Sequence, residues 1–245
     1  MITRYRIDIA YDGTAYGGWQ IQPNCCTVQQ KIQEALYTLT GQESIVHGSG
    51  RTDRGVHASG QVAHFDLSDP RIQNLRRALN ALLPADIRIL KLVKTCDDFH
   101  ARLSARGKEY RYFIWNGEIL PPFIRHFRTH VPPELKVEDM RTAASMLEGV
   151  HNFKSFAANP DRPVQSFVRQ IDRIEIKKRG NEVVIAVEGN GFLYKMVRSI
   201  AGHLIRVGQG KLDPDSTERI LARMQRTAEV ETAPSQGLFL WRVLY

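Results

Sequence analysis

Cysteine is scarce in this chain: three in 245 residues, with Cys25 and Cys26 adjacent and Cys96 far away. An odd count makes no disulfide framework, neighbouring cysteines rarely bridge, and no spacing matches a zinc site. The expectation is reduced thiols in a cytoplasmic protein. Long hydrophobic runs are missing too. No stretch approaches the ~20 apolar residues of a transmembrane helix. The opening Met-Ile-Thr-Arg-Tyr-Arg-Ile-Asp alternates like a strand and carries no signal-peptide core, so neither a membrane span nor a secretory leader is expected. No glycine-rich loop fits the P-loop pattern, and no serine or cysteine nucleophile motif is present. The histidines have no metal-ligand spacing: His57 and His64 are seven apart. His57 falls in a loop, where it could touch RNA, and His64 falls in a strand. Acidic residues are outnumbered, 26 against 34 lysines and arginines, for a net charge of +8. That balance points to a polyanionic partner, most simply a nucleic acid.

What is present is an ordinary globular composition, 42% hydrophobic and 24% charged, enough for a sizeable core. Residues 4–11 put Tyr5, Ile7, Ile9 and Tyr11 on one face, a strand pattern. Glycines cluster over 12–20. Thr27 with Gln30 makes a capping box, opening a helix with Val28, Ile32, Ala35, Leu36 and Leu39 in phase, ended by Gly41. Strands are expected over 44–48 and 61–67. Pro70 marks the first turn of a helix carrying Ile72, Leu75, Leu79 and Leu82, stopped by Pro84. A strand follows over 86–94.

The second half repeats the style. It has a strand over 108–116, a proline-containing loop over 120–133 and a helix over 137–147. A hairpin of 167–178 and 182–188 turns at Arg179-Gly180-Asn181. An amphipathic helix spans 193–207 with Lys195 and Arg206 on its polar side and Arg198 on its flank. A further helix begins near Pro214, and a strand closes the chain over 237–245. Interleaved helices and strands predict an α+β class in two similar halves, 1–104 and 105–245.

One loop stands out chemically, Gly48 to Gln61. It sets a single carboxylate, Asp53, between Arg51 and Arg54, among glycines that admit positive φ and close approach. Flanking cations favour the charged form of a carboxylate. The same Thr-Asp-Arg-Gly is also a good turn sequence. Lys108 to Phe113 interleaves cations and aromatics on a strand, with Tyr110 and Tyr112 on one face. Such a strand can stack bases, or it can be a plain half-buried strand.

Gly50-Arg51-Thr52-Asp53-Arg54-Gly55-Val56-His57-Ala58 resembles the signature of the tRNA pseudouridine synthase A family. Other stretches agree in the family's order. They are Tyr11-Asp12-Gly13-Thr14 with Gly17-Gly18-Trp19-Gln20, Asp98 to Arg102, Lys108 to Tyr112, His151-Asn152-Phe153, Phe192 to Arg198, and Ala233 to Leu238. The resemblance spans nearly the whole chain. It implies a tRNA-binding isomerase that converts uridine to pseudouridine at nucleotides 38, 39 and 40 of the anticodon stem-loop. It implies a homodimer with no cofactor and no metal. It also implies two α+β halves with mixed or antiparallel sheets joined across a central basic active-site cleft. Carried over residue by residue, it makes Asp53 the catalytic nucleophile, packs Tyr110 on the target base, pairs Arg198 with Asp53, and gives Arg51 the flipped nucleotide to hold. It leaves Arg54 without a role.

Two other classes fit parts of the sequence. A non-catalytic tRNA-binding module would use the charge and the aromatic strand and keep Asp53 as a turn residue. A carboxylate hydrolase needs a second carboxylate near the first; the loop offers none close in sequence, and Asp66 and Asp69 are weak substitutes.

Overall fold

The structure, a computed structural model, describes residues 2–68, 73–132, 134–158 and 164–245. In chain order the elements are β1 (Ile2–Tyr11), α1 (Val28–Thr40), β2 (His47–Gly48), β3 (His57–Ser68), α2 (Leu75–Leu82), β4 (Ile87–Lys94), β5 (Gly107–Trp115), β6 (Thr129–His130), α3 (Val137–Ser145), β7 (Gly149–Asn152), β8 (Val168–Arg179), β9 (Glu182–Gly189), α4 (Met196–Gly208), α5 (Ser216–Arg223) and β10 (Leu238–Leu244). This is a mixed α+β protein. The chain divides into two compact units, Met1–Arg106 with Phe239–Tyr245, and Gly107–Leu238.

In the first unit β1 is flanked by β3 and β4, both antiparallel to it. Its alternation is the one the sequence shows: Tyr5, Ile7, Ile9 and Tyr11 are buried. The apolar stripe of α1 buries Val28, Ile32, Ala35 and Leu36. Both ends of α1 are written in the sequence. Thr27 Oγ1 accepts the Gln30 N–H at 3.3 Å, and Gly41 takes φ +67° with its N–H donating to Tyr37 O. The box is only half made, because the Gln30 side chain turns to Glu34 at 2.8 Å.

Three expectations need correction here. The strand over 44–48 shrinks to His47–Gly48. The strand expected to start at Gln61 starts at His57: Ala58 pairs Tyr11 of β1, and His57 and Ala58 run parallel to Phe239 and Leu240 of β10. The helix expected from Pro70 is α2, capped by Asn74, whose side chain accepts the Arg77 N–H. Pro70 and Ile72 lie outside the described residues. Leu75 and Leu79 are buried, but Leu82 at the end of α2 is exposed.

In the second unit β5 runs antiparallel to β9, β9 to β8, and β8 to β7, while the short β6 runs parallel to β5. The hairpin turn falls where expected, with Gly180 at φ +56°. The loop over 120–133 contains β6 and a helical turn, Pro122–Ile124. Helix α4 packs against α3 and buries Met196, Ile200 and Leu204 completely. It begins at Met196 rather than 193, because Lys195 adopts a left-handed backbone (φ +56°) and ends any helical run before it. Arg206, expected to face solvent or a ligand, instead holds the carbonyls of Ala228 and Glu229 and the carboxylate of Glu231. Nearby, the Arg226 guanidinium bonds Ser199, Val230 O and Thr232. Arginine thus ties the segment after α5 onto α4. The Tyr112 hydroxyl does the same for the next stretch, bonding Thr129 at 2.6 Å and Pro234 O at 2.9 Å.

Two histidines are built into these cores. His203 of α4 is fully buried, with Nε2 2.8 Å from Thr217 Oγ1 and its ring edge-on to Phe156. His64 of β3 packs between His47 and His100 and accepts the Ala101 N–H at Nδ1. Burial pushes each pKa down from 6.5 to about 4, with neighbouring Arg206 adding to it at His203 and the other two histidines at His64. The neutral form is therefore the folded form. Between 6.5 and about 4 the unfolded chain binds protons that the folded chain does not. Stability should be whole above pH 6.5 and fall steadily as pH drops toward 4. Thermal melts from pH 7.5 to 4 check this: His203→Gln should flatten the pH dependence, and an equally steep slope in the variant would contradict the assignment. Among the described residues no helix is long and apolar enough to cross a membrane.

Candidate active site

The Asp53 loop joins β2 to β3, and the two glycine-rich stretches after β1 explain its shape. Thr52 is held twice. Its Oγ1 lies 2.8 Å from the Tyr11 hydroxyl, and its carbonyl accepts the Trp19 N–H at 3.1 Å. Asp53 follows, half-buried, and its carbonyl accepts the Val56 N–H at 3.1 Å to close a tight turn. Gly55 sits at φ +74° in that turn. Beyond it, the Gly13 N–H donates to His57 Nδ1 at 3.0 Å. The loop is thus gripped on both shoulders by residues 11–19.

Glycine is required where the two segments touch. A Cβ on Gly13 would lie 2.0 Å from Val56 O. One on Gly18, which is at φ +107°, would lie 2.4 Å from Thr52 O. Both obstacles are backbone atoms that cannot rotate aside. The entrance to the loop is fixed by Gln61 of β3, whose amide donates to Gly50 O at 2.8 Å while its oxygen accepts from Ser49 Oγ at 2.6 Å.

The side chains around Asp53 are sorted by exposure. Arg51 and Arg54 are exposed, Thr52 and Val56 are buried. His57, expected as a loop residue open to RNA, is fully buried in β3. Its Nδ1 takes the Gly13 N–H and lies 3.1 Å from Asp12 Oδ1, and its ring stacks on Phe239 with centroids 4.6 Å apart. It serves the loop's framework. Asp66, one of the two possible second carboxylates, is bound by both Arg4 nitrogens at 2.8 Å; Asp69 lies outside the described residues.

In the second unit, Tyr110 lies on β5 opposite Val187. Its ring meets Phe192 edge-on, centroids 5.2 Å apart, and the residue is only 8% exposed. Arg198 lies in the first turn of α4. Its Nε donates to Ala233 O at 2.8 Å and its own carbonyl accepts the Ala233 N–H at 3.0 Å. These two bonds fix the start of α4 against the Ala233–Leu238 motif. Lys195, just before the helix, is left-handed, and Phe192 upstream of it meets Tyr110. Of the sequence-derived residues, then, Arg51 and Asp53 share one loop of the first unit, while Tyr110 and Arg198 are set by β5 and α4 of the second. The supporting residues Tyr11, Thr52, Gln61 and Phe192 were not singled out for a role in the sequence. A tyrosine ending a strand immediately before a glycine cluster was the available signal. Among the described residues no group of three or more His, Cys, Asp or Glu is placed to hold a metal ion.

Comparison with known proteins places the chain in a family. A family model described as tRNA pseudouridine synthase matches residues 8–103 and 143–245. The chain is 48% identical to a tRNA pseudouridine synthase A of Ruminiclostridium cellulolyticum over 245 residues, 99% of each chain. It is 45% identical to one from Listeria monocytogenes over 249 residues, all of both chains. Against one from Bacillus pumilus the identity is 46% over 247 residues, 99% of each. The chain belongs to the tRNA pseudouridine synthase A family, a family of isomerases.

Proposed function

We propose that this chain converts uridine to pseudouridine at nucleotides 38, 39 and 40 of the tRNA anticodon stem-loop, with Asp53 as its nucleophile. The observation that carries the reading is the built loop. One half-buried carboxylate is held by bonds on both shoulders, between two exposed arginines, in a chain whose relatives are named for this reaction.

The reaction breaks the N-glycosidic bond, turns the base and rejoins it to the ribose through C5. A stacked base cannot turn, so the nucleotide leaves the helix at a cost of a few kcal/mol. Arg51, exposed beside Asp53, holds the flipped nucleotide by its phosphate or fills the space it leaves. Tyr110 lies against the face of the base. Stacking of this kind is worth about 1–3 kcal/mol and leaves the base free to rotate in its plane. The carboxylate of Asp53 attacks C1′, or takes a proton from C2′ to give a glycal; both use the ionised form. Arg198 pairs with Asp53 and offsets the loss of solvent around it when substrate closes the site. Removal of the C5 proton then completes the isomer, with Tyr110, water or Asp53 as the base.

The net charge of +8 supports phosphate contacts along the tRNA, and a homodimer would extend them over two subunits. Binding should then weaken with salt, log Kd rising linearly with log salt at a slope near the number of phosphates neutralised. Filter binding from 50 to 300 mM KCl checks this, and a flat line would contradict it. The reaction itself is tested by tritium release from tRNA carrying 5-tritiated uridine. Release of label to water is expected. Tight tRNA binding with no release would leave an RNA-binding module instead.

A further inference from the structure

The strand-end tyrosine of the first unit has no part in the chemistry above, yet it is bonded to the residue immediately before the nucleophile. We propose that Tyr11 is a positioning residue for Asp53, acting through its buried hydrogen bond to Thr52. The proposal rests on the reading of Asp53 as the nucleophile.

Tyr11 is the last residue of β1, just past a register shift against β3 that falls between Ile9 and Tyr11. The ring is 4% exposed and tilted against Trp19, centroids 6.1 Å apart. Its hydroxyl lies 2.8 Å from Thr52 Oγ1. Upstream, Gln61 holds Gly50 O and Ser49, so the segment 49–52 leading into Asp53 is tied at both ends, by Gln61 at its start and by Tyr11 at Thr52. Burial pushes the Tyr11 hydroxyl well above the ordinary tyrosine range, so it stays a neutral donor and acceptor at every working pH. It cannot serve as the base in the reaction.

The lever is short. Thr52 is fixed at its carbonyl by Trp19 and at its side chain by Tyr11. With only the carbonyl held, the peptide leading into Asp53 can rock. A displacement of about 1 Å at a reacting group can cost on the order of 10²-fold in rate. A general stabilising role would look different, lowering the folded fraction while leaving the folded enzyme's rate intact.

The experiment is single-turnover tritium release at saturating enzyme, with tRNA Kd and melting temperature measured in parallel. The variants are Tyr11→Phe, Thr52→Val, Thr52→Ser, the Tyr11→Phe/Thr52→Val double and Asp53→Asn. Tyr11→Phe and Thr52→Val should each slow release by roughly 10- to 100-fold with Kd within about twofold of wild type. Thr52→Ser, which keeps the hydroxyl, should release at close to the wild-type rate. The double variant should be no slower than the slower single, because both remove one bond. A wild-type rate in Tyr11→Phe, or losses that multiply in the double, would overturn the proposal. Release by Asp53→Asn at the wild-type rate would instead overturn the nucleophile on which it rests, so the two failures are told apart.

Discussion

Asp53→Asn should abolish pseudouridine formation while leaving tRNA binding nearly intact. Asparagine has the same shape, so the turn closed by the Val56 N–H and the grip of Tyr11 and Gly13 on the loop stay in place. What disappears is the negative charge and the nucleophilic oxygen. Loss of a group that forms or breaks a covalent bond commonly costs on the order of 10⁴-fold or more in rate. Binding comes mostly from phosphate contacts over a long RNA, and one neutralised carboxylate among a net +8 should tighten it slightly if anything. Turnover falling by that much, with Kd within a few-fold and an unchanged melt, is the expected triad of results. A binding module would show no turnover in either protein. A hydrolase would cleave rather than isomerise and would need a second carboxylate, whereas Asp66 is already bound bidentately by Arg4.

The second large effect is steric. Gly13→Ala should unseat the Asp53 loop. The added carbon would lie 2.0 Å from Val56 O and 2.6 Å from Val56 C, and these are main-chain atoms of the turn itself. Relief requires moving either the end of β1 or the loop. Overpacking of this kind costs about 3 kcal/mol or more when backbone must shift, which for a chain of this length is a drop in Tm of about 2–4 °C per kcal/mol. Turnover should fall further than stability does, because the displaced atoms lie three residues from Asp53. Gly41→Ala is the matched control. Gly41 also sits in a left-handed conformation, φ +67°, but nothing lies within 4 Å of its added carbon. It should cost about 1–2 kcal/mol for the backbone alone and leave the rate of the folded enzyme unchanged. Equal losses of rate in both variants would contradict a loop-specific role for Gly13.

How much of this was legible in the sequence depended on whether the deciding contact was local. Thr27, Gly41 and Gly180 each act within a few residues, and the helix ends and hairpin fell where they mark them. The alternation of β1 was likewise readable, since its period reports the burial of one face. The start of β3 was not. His57-Ala58-Ser59-Gly60 looks like loop, and becomes strand only because β1 and the distant β10 pair with it. The start of α4 was hidden for the opposite reason: Leu193 and Tyr194 fit a helix, and the left-handed Lys195 breaks it. At the candidate site, Asp53 and its arginines could be picked out as a motif. The partners that shape the loop could not, because the bond from Tyr11 to Thr52 spans 41 residues, and no local pattern announces a contact at that separation.

The most direct test of the central claim is to map pseudouridine at nucleotide resolution in unmodified tRNA after treatment with the wild-type protein and with Asp53→Asn, by carbodiimide labelling and primer extension. Stops at uridines 38, 39 and 40 with wild type, and none with Asp53→Asn, are the predicted result. Pseudouridine confined to other positions, or formed equally by the Asp53→Asn protein, would contradict it.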